Sequence, residues 1–198
     1  MFTQYQTQYF AHALTLKGSG GDIDTLSRSI SNARVDLNPH QIDAALFALR
    51  SPLSKGVLLA DEVGLGKTIE AGIVIAQRWA ERRRRILLIV PASIRKQWAQ
   101  ELIEKFFLPV SILDTQTFNQ LRKTGVSNPF DRQDQLVICS YNFAAAKSQE
   151  IQAVPWHLVV IDEAHRLRNV FKPSVKMTRR VVETVRNVPK LLLTATPL

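Results

Sequence analysis

Six short, largely apolar runs, separated by longer amphipathic stretches, constrain this chain more than any other feature. The runs occupy residues 56–60, 86–90, 110–113, 135–140, 157–162 and 190–194. Most are Val, Ile and Leu with no polar alternation, the pattern of strands covered on both faces. Between them, residues 67–81, 93–107, 115–123, 141–149 and 174–186 carry helical spacing. This alternation predicts an α/β fold with three layers, a mostly parallel sheet flanked by helices on both faces. Ligands of such sheets bind beyond the carboxyl ends of the strands, and each motif below falls at such an end. Residues 1–35 are different: polar, mixed and broken by Gly-Ser-Gly-Gly at 18–21. They read as an N-terminal appendage of helix and loop, ahead of a lobe spanning 36–198. The chain stops at Leu198, just past the last run, and reads as a lobe truncated at its C-terminal end.

The first apolar run ends in LADEVGLGKT and opens into the helical stretch TIEAGIVIAQRWA. A glycine-rich turn entering a helix directs several backbone N–H groups at one point, and the helix dipole adds positive character there. Gly64 and Gly66 let the backbone close on phosphate oxygens without an intervening Cβ. Lys67 can reach β- and γ-phosphates, and Thr68 can offer its hydroxyl to Mg²⁺. Asp61, Glu62, Val63, Leu65 and Ile69 complete the loop as nucleotide-lining positions. The match to G-x-x-x-x-G-K-[ST] is incomplete, because Asp61 holds the first glycine position. A glycine turn with a chance lysine is the plainer alternative, and the strand-then-helix context opposes it.

The run HLVVIDEAH places two carboxylates at a strand end. Asp162 can hold Mg²⁺ directly or through water, which leaves Glu163 to orient and deprotonate an attacking water. A solvated acid pair is the alternative reading. It loses ground once a lysine loop occupies the end of another strand. His165 comes next and can bridge the acids to LLLTATP, where Thr194 and Thr196 end a buried run.

Net charge is +9, which favours a polyanionic partner such as nucleic acid. The run ERRRR at 81–85 sits where a helix ends, away from the motifs, and reads as a solvated face. No apolar run approaches the ~20 residues a membrane span requires. The N-terminus lacks the basic and apolar regions of a secretory signal. The single cysteine, Cys139, forms no internal disulfide. A cytoplasmic setting with no membrane partner fits these features.

In this order the motifs resemble the first RecA-like lobe of superfamily 2 helicase-type P-loop ATPases, and more narrowly the bacterial Swi/Snf-type DNA translocases. LADEVGLGKT resembles that family's first motif, acidic residue included. DEAHRLRN resembles its second motif, LLIVPASIRKQWAQEL motif Ia, VICSYNF the Ib region and LTATP motif III. LNPHQIDAAL resembles the adenine-recognising Q region.

The resemblance implies ATP and Mg²⁺ as cofactors, with Lys67, Asp162 and Glu163 as catalytic residues. It places Gln41 on the adenine edge and makes His165, Thr194 and Thr196 the coupling residues. Ser93, Arg95, Lys96, Trp98, Ser140 and Tyr141 line the nucleic-acid side. Ser93 also suits a helix N-cap, and Trp98 reads more readily as core. The implied partners are DNA, contacted through its phosphates without sequence preference, and a second RecA-like lobe that supplies arginines to the γ-phosphate. Without that lobe the 198 residues are expected to hydrolyse ATP poorly. The implied function is ATP hydrolysis coupled to movement on DNA. Alternatives are a strand-separating helicase, a restriction-system translocating subunit, a nucleotide-binding module without turnover, and a P-loop kinase.

Overall fold

A computed structural model describes residues 38–51, 53, 56–60, 66–167 and 176–195. Among these, six parallel strands form one sheet: β1 (Val57–Leu59), β2 (Ile86–Val90), β3 (Val110–Ile112), β4 (Leu136–Ser140), β5 (Leu158–Ile161) and β6 (Lys190–Leu193). Their spatial order is β1-β6-β5-β2-β4-β3. The helices are α1 (Pro39–Arg50), α2 (Lys67–Ala80), α3 (Arg95–Phe106), α4 (Thr115–Lys123), α5 (Tyr141–Ala146), α6 (Ser148–Gln152) and α7 (Lys176–Thr184). The described residues thus form the expected α/β lobe.

The unbroken apolar runs are explained by a sheet buried on both faces. In β2, Ile86, Leu88 and Val90 join one core, while Leu87 and Ile89 join the other. β4 and β5 divide in the same way. The first core meets α1, α2 and α3 through Ile42, Ile73 and Leu102. The second holds Phe118, Phe130 and Phe143, whose ring centroids stand 5.8–6.0 Å apart. Each such pair adds about 0.5–1.5 kcal/mol beyond simple burial. α2 and α3 approach so closely that a Cβ on Gly72 would collide with the Phe106 ring.

Local chemistry sets the helix ends, and three places differ from the sequence expectation. α1 lies outside the helical stretches expected from spacing. Pro39 sits at its first turn, and the Gln41 side chain reaches back to accept the Asn38 N–H at 3.2 Å. α3 begins at Arg95 after a 3₁₀ turn over Ala92–Ile94, so Ser93 is not its N-cap. That position falls to Ile94, which offers no side-chain acceptor. The helix expected over 141–149 divides at Lys147 into α5 and α6.

The ERRRR run lies where α2 ends and β2 begins, at the rim opposite the motifs. It is less solvated than expected. The Arg84 guanidinium stands 5.1 Å over the Trp79 ring, and Arg85 Nε pairs with Asp131 at 2.7 Å.

Candidate nucleotide and nucleic-acid site

Strand order divides the carboxyl rim of the sheet into two halves. β1, β6 and β5 are consecutive, so the start of α2, Thr194 and the acid pair stand side by side. The ladder extends past the strand ends there. The Thr194 N–H donates to the Leu59 carbonyl at 3.1 Å, and the Asp162 N–H to that of Ile89 at 3.0 Å. β2 and β4 come next, carrying the starts of α3 and α5.

Asp61, Glu62, Val63, Gly64, Leu65 and Thr196 lie outside the described residues. Gly66, where the loop enters α2, adopts φ 93° and ψ 34°, a left-handed conformation that costs a residue with a Cβ about 1–2 kcal/mol. A Cβ there would also collide with Gln41 Nε2. The buried Gln41 carboxamide therefore rests against the last glycine of the loop. Lys67 and Thr68, both partly exposed, open α2, and Ile69 is buried beneath them. Glu70, in the same first turn, is fully buried.

Asp162 is buried at the end of β5. Its Oδ2 accepts the Trp98 indole N–H at 2.8 Å, and its Oδ1 accepts the Glu163 N–H at 2.8 Å. Burial pushes the carboxyl above the usual carboxylate range. The two hydrogen bonds and the positive charge of Lys67 pull the other way, while Glu163 adds to the rise. The start of α2 and the end of β5 lie on the same rim, with β6 between their strands. Glu163 turns away at φ 54°, a left-handed conformation rare outside glycine. Its Oε2 lies 3.0 Å from His165 Nδ1, and the Thr194 hydroxyl is 3.5 Å from the same nitrogen. His165 thus stands between the acid turn and the end of β6.

The other half is looser. Ser93 and Lys96 are exposed. Arg95 Nε donates to the Ala92 carbonyl at 3.2 Å. Ser140 caps α5, its Oγ accepting the Phe143 N–H at 3.3 Å. Tyr141 departs from its expected place on the nucleic-acid side. Its ring is buried, and its hydroxyl donates to the Asp162 carbonyl at 2.5 Å, with the Glu163 carbonyl 3.3 Å away. Burial and the two nearby carboxylates push the phenol up, with Arg166 opposing them. Trp98 likewise belongs to the core, with only its N–H serving the rim.

The donor set fits a magnesium-bound triphosphate. Among the described residues no three His, Cys, Asp or Glu side chains converge, so they form no all-protein metal cage. One buried carboxylate and one hydroxyl at the start of a neighbouring helix suit an ion that keeps waters and shares phosphate oxygens. Sequence reasoning missed the Trp98 and Tyr141 bonds to the acid turn and the Gln41–Gly66 contact. All three join residues remote in the chain, so no local spacing announces them.

Comparison with known proteins agrees with this fold. The SNF2-related domain family matches residues 23–198. The RNA polymerase-associated protein RapA of Yersinia pseudotuberculosis is 39% identical over 169 residues, which cover 83% of this chain and 17% of that protein. RapA of Yersinia pestis is 38% identical over the same length and shares. The chain therefore spans 17% of the length of these curated relatives. Among solved structures, the Sulfolobus solfataricus SWI2/SNF2 ATPase core in complex with dsDNA aligns with a TM-score of 0.65. That alignment covers 84% of this chain and 33% of the other at 24% identity, a likeness of fold. The match across residues 23–198, joined to relatives at this identity, makes the chain a member of the SNF2-related domain family.

Proposed function

We propose that this chain is the ATP-binding lobe of a DNA-dependent ATPase that couples hydrolysis to movement along duplex DNA. One observation carries the reading: strand order sets the start of α2, with Lys67, and the acid turn at Asp162 on one rim, with only β6 between their strands. Two remote motifs thus share one rim, where parallel sheets bind ligands.

Lys67 and the N–H groups opening α2 hold the β- and γ-phosphates, aided by the positive helix end. Thr68 and Asp162 would hold Mg²⁺, which neutralises charge on the phosphate oxygens. Glu163 orients the attacking water and takes its proton, with His165 fixing the carboxylate from 3.0 Å. Gln41 pairs with the adenine edge, and its contact with Gly66 ties base recognition to the phosphate loop. Arg95, Lys96, Ser93 and the start of α5 at Ser140 meet DNA phosphates, contacts that carry no sequence information. His165 and Thr194 pass the state of the acid turn to β6. A second RecA-like lobe closes on the site and supplies arginines, so the isolated lobe turns over slowly. Such arginines are worth ~10³–10⁵ in rate in related phosphoryl transfers.

The test is ATP turnover by the complete protein with and without duplex DNA, beside triplex displacement and strand separation. The reading expects DNA-stimulated turnover that Lys67→Ala abolishes, and triplex displacement without strand separation. Turnover indifferent to DNA, or surviving in Lys67→Ala, overturns it. Strand separation would make the protein a helicase instead.

A further inference from the structure

Two aromatic side chains reach the acid turn from the other half of the rim. The Trp98 indole N–H donates to Asp162 Oδ2 at 2.8 Å, and the Tyr141 hydroxyl donates to the Asp162 carbonyl at 2.5 Å. Trp98 lies in the opening turn of α3, and Tyr141 is the first residue of α5. Those two helices start at the ends of β2 and β4 and carry Arg95, Lys96 and Ser140 at the same turns. Each donor is therefore held by a segment whose exposed part faces the proposed DNA.

We infer that Trp98 and Tyr141 are positioning residues, through which a nucleic-acid backbone seated at the starts of α3 and α5 sets the acid turn for hydrolysis. The inference rests on the function proposed above and adds a direct route from DNA to the carboxylates, separate from the one through His165 and Thr194. Asp162 takes its orientation from neighbours at three points: Trp98 at Oδ2, the Glu163 N–H at Oδ1, and Tyr141 at the carbonyl. Glu163 holds φ 54°, a conformation that persists only where surroundings over-determine it. Its carbonyl accepts the Arg166 N–H at 2.9 Å and has the Tyr141 hydroxyl 3.3 Å away. A shift of α3 or α5 by about an ångström stretches these bonds beyond hydrogen-bond range unless the turn moves with it. Core filling accounts for the burial of both rings. It does not account for two donors, 64 and 21 residues from their acceptor, meeting on one turn.

The experiment compares the complete protein with Tyr141→Phe and Trp98→Phe, measuring steady-state ATP turnover with and without a duplex DNA and the KM for ATP. The readout is the ratio of stimulated to unstimulated turnover. A purely structural role lowers both arms by one factor and leaves the ratio alone. The inference expects the ratio to fall about 3- to 30-fold in each variant, with KM for ATP moving much less. A wild-type ratio in a folded variant overturns the inference and leaves the proposed function standing. An unstimulated wild-type protein overturns both. Should Trp98→Phe fail to fold, Tyr141→Phe, which lacks a single oxygen, decides.

Discussion

The two halves of the rim use polar groups in opposite ways. In the nucleotide half, side chains hold one another: Gln41 rests on Gly66, Asp162 is bonded at both oxygens, and His165 lies between Glu163 and Thr194. In the other half, Ser93 and Lys96 project into solvent and Arg95 bonds to a carbonyl of its own turn. The contrast matches what each half is proposed to bind. In-line phosphoryl transfer requires groups fixed before the substrate arrives, because reorganisation during the reaction raises the barrier. A DNA backbone presents the same charge at every step, and exposed cations track it without reading sequence.

The largest blow to this contrast is Glu163→Gln. The amide keeps the shape and cannot take a proton, so turnover should fall about 10²–10⁴-fold while ATP binding survives. Equilibrium binding of a fluorescent ATP analogue beside turnover checks it, and binding lost along with turnover would mean that Glu163 holds the nucleotide instead. Gly66→Ala comes next. It forces a Cβ into the left-handed region and displaces Gln41 Nε2, at a cost of about 1–3 kcal/mol. Thermal unfolding should register the loss. If Gln41 moves as expected, the variant loses more affinity for ATP than for an inorganic triphosphate.

Lys96→Ala should leave melting unchanged and lower the slope of log affinity for duplex DNA against log salt by about 1. An unchanged slope would remove Lys96 from the interface. The last effect is absent at neutral pH and concerns Cys139, buried in β4, where burial pushes the thiol from its ordinary 9.0 up to about 12. Between those values the unfolded chain ionises while the folded one does not. Stability should thus decline as pH rises from about 9 to about 12, a component that Cys139→Ser lacks. Denaturant titrations across that window check the sign, and a thiol reagent should find Cys139 only after unfolding.

The central strands β2 and β5 are legible in the sequence because burial on both faces leaves no polar position in them, as Ile86 to Val90 illustrate. That Lys67, Asp162 and Glu163 fall on the carboxyl rim is legible because their motifs follow the apolar runs directly. The start of α3 is easily misread at Ser93, since a serine after a strand suits an N-cap and nothing local announces a 3₁₀ turn. Tyr141 is placed on the nucleic-acid side by the resemblance alone, through VICSYNF. That its ring turns inward to the acid turn depends on β2 lying between β4 and β5, which no local pattern encodes. The Trp98–Asp162 bond is hidden for the same reason.

Among the described residues, the sheet offers very little open backbone at its two borders. β1 and β3 are three residues each, roughly 10 Å of ladder at either flank. So short a hem gives an approaching strand little to zip onto, and addition of a foreign strand gains few bonds there. Whatever neighbour these borders meet is expected to be recruited by side chains rather than by extension of the sheet.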